Sequence, residues 1–250
     1  MSPRVLKHLN SKNFSAVSSI FLGFSLKFKL FSPFSYRFPA VIVYFFFLLP
    51  FFSLRTEEIK GPQNLHWNSE QILFITASSK DNFGYLDFYT MRQGEWVAIL
   101  EKIPVRLGRN GLISGNDKRE GDGFSPAGIF PLKRIVGKQK KEIRNLEYTQ
   151  IRKNHHWSDS PSSKNYNQLI SRSEKGAVPL WESYIYDLFI VIEHNTKPAN
   201  PGFGSMIFIH PWTEDKPTSG CVGVSKGVLE TILPLLDGDK KPYIILDFVN

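Results

Sequence analysis

The sequence predicts a mainly β domain with one helix near its C-terminus, set behind a hydrophobic leader. Three observations carry this. Compact apolar runs such as Gln71–Ala77 and Tyr243–Phe248 alternate with Gly- and Pro-rich turns. Only one stretch, after residue 225, has clear helical periodicity. A basic N-terminal region is followed by an uncharged apolar run from Phe38 to Leu54.

The leader explains the charge of the chain. The formal net charge is +8. Residues 1–37 hold Arg4, Lys7, Lys12, Lys27, Lys29 and Arg37 and no acid, which leaves 25 basic against 23 acidic side chains beyond residue 54. The rest of the chain is nearly neutral, so a nucleic-acid-binding face is not implied. The segment 38–54 is short for a spanning helix and long for a signal peptide. No small-x-small cleavage site follows it. Residues 1–54 therefore read as a basic leader plus an uncleaved signal anchor, with a cleaved signal as the alternative. Residues 55–70 are polar and read as a linker, and residues 71–250 as the folded domain.

Within that domain the strands follow in order. Gln71–Ala77 opens it. Tyr85–Thr90 and Trp96–Leu100 flank Arg92-Gln93-Gly94-Glu95, which predicts a hairpin. Val105–Gly108 continues the sheet. Further strands are expected at Gly128–Ile135, Asp187–Glu193, Met206–His210 and Tyr243–Phe248. Residues 138–183 are charged and aromatic without periodicity, and predict an irregular insertion over the site. Ser225 is placed to cap a helix whose apolar stripe is Val228, Leu229, Ile232, Leu235 and Leu236. Asp237-Gly238-Asp239 ends it.

The chain has one cysteine, Cys221, in Thr218-Ser219-Gly220-Cys221-Val222-Gly223. One thiol excludes an internal disulfide and a cysteine-rich metal site. It leaves a nucleophile, an intermolecular bridge, a surface thiol or a buried core cysteine. His210 lies eleven residues earlier at the end of an apolar run, where a strand end would hold it as a base for the thiol. The helix start after the cysteine segment is a second expected source of thiolate stabilisation. No metal is expected. The histidines form no paired-ligand pattern, and the adjacent His155 and His156 point apart on a strand. No cofactor is expected either.

A second dense motif is Gly121-Asp122-Gly123-Phe124-Ser125-Pro126-Ala127-Gly128, a glycine-rich turn entering a strand. It lacks the Gly-Lys-Ser/Thr ending of a phosphate loop. Its acid spacing is wrong for calcium. Taken with His210 and then Thr218-Ser219-Gly220-Cys221, its order resembles the L,D-transpeptidase catalytic domain (YkuD-like) family, as a divergent branch. The likeness covers about residues 70–250, with Trp157, Tyr166-Asn167 and the Pro201–Ser205 approach marking the branch.

The resemblance implies a β-sandwich or barrel with one helix following the cysteine. It implies cysteine-dependent acyl transfer on peptidoglycan stem peptides, for cell-wall cross-linking or modification. Cys221 is then the nucleophile and His210 the base, with the amides of Gly220 and Cys221 holding the oxyanion. The family motif has a second histidine where this chain has Ser219, and an arginine where it has Gly223. Substrate contacts are therefore expected from Ser219 and from the insertion, through Arg152, Trp157 and Arg172, with Lys153 and Lys164 beside them. Asn195 or Glu193 is the candidate to orient His210. The implied location is the periplasmic side of the cell envelope, with residues 38–54 at the inner membrane. If water resolves the acyl-enzyme, the activity is that of an L,D-carboxypeptidase or endopeptidase. If the departures have removed activity, the domain is a non-catalytic envelope-binding module. A papain-like peptidase fits less well, because those chains place the cysteine before the histidine.

Overall fold

The computed structural model describes residues 68–249. The leader of residues 1–54 and nearly all of the 55–70 linker lie outside the described residues. Among the described residues no helix is long and apolar enough to cross a membrane.

Among the described residues, thirteen strands and one short α-helix follow one another. In chain order they are β1 (Gln71–Ala77), β2 (Phe83–Arg92), β3 (Glu95–Arg106), β4 (Leu112–Ser114), β5 (Ser125–Gly137), β6 (Glu147–Gln150) and β7 (His156–Ser158). Then come β8 (Gln168–Ile170), β9 (Ala177–Pro179), β10 (Leu188–Ile192), β11 (Phe208–Pro211), β12 (Val222–Val224), α1 (Lys226–Ile232) and β13 (Tyr243–Phe248). The β2–β3 hairpin turns through Gln93 and Gly94, both with positive φ (53° and 87°), as a two-residue primed turn requires.

The main sheet runs β10-β11-β12-β3-β2-β1-β13-β5, and β10 pairs again with β5. That last pairing closes the sheet into a barrel, with β4 and β6 added along β5. The first and last strands lie side by side in parallel. Alternation sorts each strand's side chains between two faces. Leu73 and Ile75 of β1, Phe88 of β2, Ile190 of β10, Ile209 of β11, Val222 and Val224 of β12, and Ile244 of β13 share one core. Leu229 and Ile232 of α1 join it. Ser225 caps that helix by accepting from the Val228 amide.

The opposite face of β10 and β11 supplies a second core. Phe189, Val191 and Phe208 pack with Ile151, Trp157 and Leu180 of the insertion. The rings of Trp157 and Phe208 meet edge to face at 4.8 Å. The insertion is more regular than its sequence implies: β7, β8 and β9 form a small antiparallel sheet. The aromatic cluster holds it to the barrel, and Glu174 ties its loops together by accepting from Ser158, Ser163 and Asn165.

Candidate active site

The two sequence motifs meet at the backbone of Cys221. Ser125, fully buried, accepts from the Gly108 amide at 2.9 Å and donates to the Cys221 carbonyl at 3.3 Å. Thr218 donates to the same carbonyl at 2.7 Å. Thr218 also accepts from the Gly220 amide at 3.1 Å, so an oxyanion at Gly220 would have to displace that bond. Gly220 sits at φ 146°, and a Cβ there would stand 2.8 Å from the Phe124 carbonyl oxygen. Only glycine suits both constraints.

Cys221 is partly exposed at the edge of the second core, beside Met206 and Tyr186. Its thiol donates to the Met206 carbonyl at 3.0 Å. Met206 has φ 55°, uncommon for a side-chain-bearing residue. Its amide is held by Asn167 Oδ1 at 3.1 Å. Asn167 is 2% exposed, and it also accepts from Trp157 Nε1 and donates to the carbonyl of Asn195. The insertion thus fixes the turn on which the thiol rests. Burial pushes the Cys221 thiol up to about 11, against smaller opposing effects from the Phe208 amide and Lys118. Strand β12 separates Cys221 from α1, so the expected help from the helix start does not reach the thiol.

His210 is 3% exposed on β11, opposite Gly223 of the parallel strand β12. Val222 and Val224 face the barrel interior. Cys221 immediately precedes β12 and packs on the second core with Phe208, and Phe208 and His210 share one face of β11, so the cysteine lies on the sheet face that carries His210. The imidazole Nδ1 lies 2.9 Å from the Pro211 carbonyl oxygen. A carbonyl only accepts, so Nδ1 carries the proton and Nε2 is left with its lone pair. Burial lowers the imidazole's affinity for a second proton, and the Pro211 bond opposes this more weakly.

The expected orienting residues are engaged elsewhere. Glu193 takes the Arg134 guanidinium in two bonds of 2.7 and 3.0 Å. Asn195 braces the loop at Asn200 and Gly204. The orienting group is a main-chain carbonyl, which has no side-chain signature.

Residues 83–245, well over half of the chain, match the YkuD family, the L,D-transpeptidase catalytic domain. The chain belongs to this family. Among solved structures it is similar to the helical cell shape determining protein Pgp2 from Campylobacter jejuni. That likeness has 16% identity and a TM-score of 0.40, over 73% of this chain and 49% of that one. A point variant of Pgp2 matches at the same identity and score over 48% of its chain. The chain spans about half the length of these structures. No curated protein matches it.

The L,D-transpeptidase signature is altered at two positions, and the structure places what stands there. Ser219 is exposed. At Gly223 a Cβ would lie 2.8 Å from the Cβ of Trp212 and 2.9 Å from its Cγ. Trp212 covers the backbone where the family's arginine would emerge. It also meets His210 edge to face at 5.5 Å. Trp212 and Gly223 share a surface cleft of about 400 Å³ with Phe83, Tyr85 and Arg106. The sequence reading missed Trp212, whose signal was its place two residues after His210.

None of the expected insertion residues lines this cleft. Arg152, Lys153, Lys164 and Arg172 are exposed. Trp157 is a correction: it is fully buried, with its indole N–H given to Asn167, so its ring packs the core and no ligand reaches it. His155 accepts from the Arg152 amide, and His156 contacts the Asn154 carbonyl.

Proposed function

We propose that this domain is a cysteine acyltransferase of the L,D-transpeptidase type, acting on peptidoglycan stem peptides, with Cys221 as nucleophile and His210 as base. The observation that carries the reading is the Nδ1–H bond of His210 to the Pro211 carbonyl. It leaves Nε2 as an acceptor on the sheet face that carries the thiol.

The resting pair is neutral. The imidazole has a lowered pKa and the thiol a raised one, so proton transfer accompanies attack and no ion pair exists beforehand. The thiol releases the Met206 carbonyl, Sγ bonds to the substrate amide carbon, and its proton passes to Nε2. The carbonyl becomes an oxyanion held by main-chain amides at Cys221 and, after exchange, Gly220. Collapse breaks the C–N bond, and the leaving amine takes the proton from Nε2. A second stem-peptide amine then attacks the thioester, His210 accepts its proton, and the thiol is restored. Water in place of that amine gives carboxypeptidase products. The substrate lies in the cell wall, so the reading includes export through residues 1–54.

A second reading, an inert binding module, is favoured by one observation, the thiol's rise to about 11. Mass spectrometry of the protein after incubation with stem peptides separates the two. The expected result is an acyl adduct on Cys221 in the wild type and none in Cys221→Ala. His210→Ala should keep a slow residual rate, because some thiolate forms without a base. No adduct on the wild type supports the binding module. Near-normal turnover by Cys221→Ala would put the nucleophile elsewhere.

A further inference from the structure

Among the described residues, the buried charge nearest the thiol's backbone supports takes no part in this scheme. Lys118 is 3% exposed. Lysine is almost never fully buried without a partner. Its ammonium donates to Asp122 Oδ1 at 2.5 Å and to the Arg119 carbonyl at 2.7 Å, using two of its three protons. Its stem lies against Gly204, where a Cβ would stand 3.1 Å from Lys118 Cγ and 3.3 Å from Cε. Gly204 is two residues before Met206, the acceptor of the thiol. The same loop reaches the other side of the thiol. Asp122 accepts from the Phe124 amide at 2.9 Å, and the Phe124 carbonyl packs against Gly220, next to Cys221. The Lys118–Asp122 loop therefore brackets the thiol on both of its backbone supports.

We propose that Lys118 is a positioning residue for Cys221, whose buried ammonium supplies the positive charge that favours the thiolate over the thiol. The proposal rests on Cys221 being the nucleophile, but it concerns the state of the thiol and not the reaction.

The charged groups around the pair are few. Lys118 faces Asp122, with His194 across Gly204 and Glu120 tied to the Tyr166 hydroxyl. The thiol faces His210 across the strands and Tyr186 at the core edge. Tyr186 is raised by burial, then by Cys221 and Asp159. Asp122 is held below the usual carboxylate range. Burial alone would raise it, and the Lys118 bond with the two backbone amides outweighs that. It therefore stays an anion that partly cancels the lysine's field. The Lys118 charge lowers the Cys221 thiol, in opposition to the larger effect of burial and beside the Phe208 amide. A lysine serving only to brace the loop would bear on the fold and leave the thiol's titration alone.

The experiment is the pH profile of iodoacetamide alkylation in the full-length chain. Cys221 is its only cysteine, so labelling reports one site. Lys118→Met is expected to move the midpoint up by about one pH unit, which is about tenfold slower labelling at pH 8. Lys118→Arg should restore most of the rate. Asp122→Asn keeps the lysine and removes the cancelling charge, so its midpoint should fall. An unmoved midpoint in Lys118→Met with native near-UV circular dichroism overturns the proposal. If Lys118→Met does not fold, Asp122→Asn decides: a fall supports the proposal, and an unmoved or raised midpoint overturns it. Labelling needs no substrate, so failure here is distinct from a missing acyl adduct.

Discussion

Gly223 and Trp212 illustrate how one substitution in a motif is answered by a neighbour. Loss of a side chain at 223 frees the space that the Trp212 stem now occupies, 2.8 Å from a would-be Cβ. The indole N–H is satisfied by the Lys216 carbonyl at 2.8 Å, so the ring is held beside His210. The consequence is an aromatic wall next to the base in place of a guanidinium that would grip a carboxylate in two bonds. Gly223→Arg should therefore not recover the family's site by itself. Overpacking against Trp212 should cost about 1–3 kcal/mol. The double variant with Trp212→Ala should be more stable than the two single effects predict, because the clash is removed. Thermal melting of the two single variants and the double variant measures this. An unchanged melting temperature in Gly223→Arg would mean that Trp212 moves freely and does not define the cleft.

Elements differ in how much of them could be read from sequence. Strands β1 and β13 run over the residues expected for them, because β1 is buried on both faces along nearly all of its length and β13 is so through Ile244–Leu246. The helix was legible from Leu229, Ile232 and its Ser225 cap, but it ends earlier than its stripe implied: α1 stops at Ile232, Pro234 sits in a tighter turn over Leu233–Leu235, and Leu235 is exposed. Strand β12 and the insertion strands β7, β8 and β9 are three residues each, too short for a period to show. Trp157, between His156 and Ser158 in sequence, was expected to contact substrate. Its partners Phe189 and Phe208 come from strands far along the chain. Lys118 sits between Asp117 and Arg119, and nothing in that local sequence marks it as buried. Burial that arises from distant segments leaves no local trace. Glu193, just after β10, is a case with a measurable outcome. Burial raises its pKa, but the Arg134 fork and the other donors outweigh this and hold it below the usual 4.5. A depressed carboxylate contributes stability above its unfolded pKa and loses it as pH falls through the folded value. Glu193→Gln should cost about 3 kcal/mol at pH 7 by stranding Arg134, and should flatten the fall in stability below about pH 4. Urea titrations at pH 7 and across the acid limb test both. An acid limb as steep as that of the wild type would assign the pH sensitivity to other carboxylates.

The molecule as a whole depends on joining its two ends. Strand β13 lies between β1 and β5, parallel to the first and antiparallel to the second. Ile244 and Leu246 enter the barrel core, while Ile245 packs on the other face with Ile72 and Phe74. The barrel can close only after β13 has been made, so its key pairing spans nearly the whole domain. Long-range pairing of this kind is slow to form and cooperative once formed. The site depends on it indirectly. Strand β5 carries Ser125 at its start and pairs with β10, beside which β11 places His210. A chain ending at Pro242 would leave β1 and β5 as two unpaired edges, which pair readily with other chains. It would also lose three fully or nearly buried apolar side chains, each worth about 1.5–3 kcal/mol. That loss compares with a total stability of about 5–15 kcal/mol for a typical domain. The expected outcome is no cooperative melt and concentration-dependent aggregation. The intact chain should show one transition that coincides in far-UV circular dichroism and tryptophan fluorescence. A truncated chain that still melted cooperatively, with native near-UV signal, would mean that the barrel closes without its last strand and that the β10–β5 pairing suffices to hold the site.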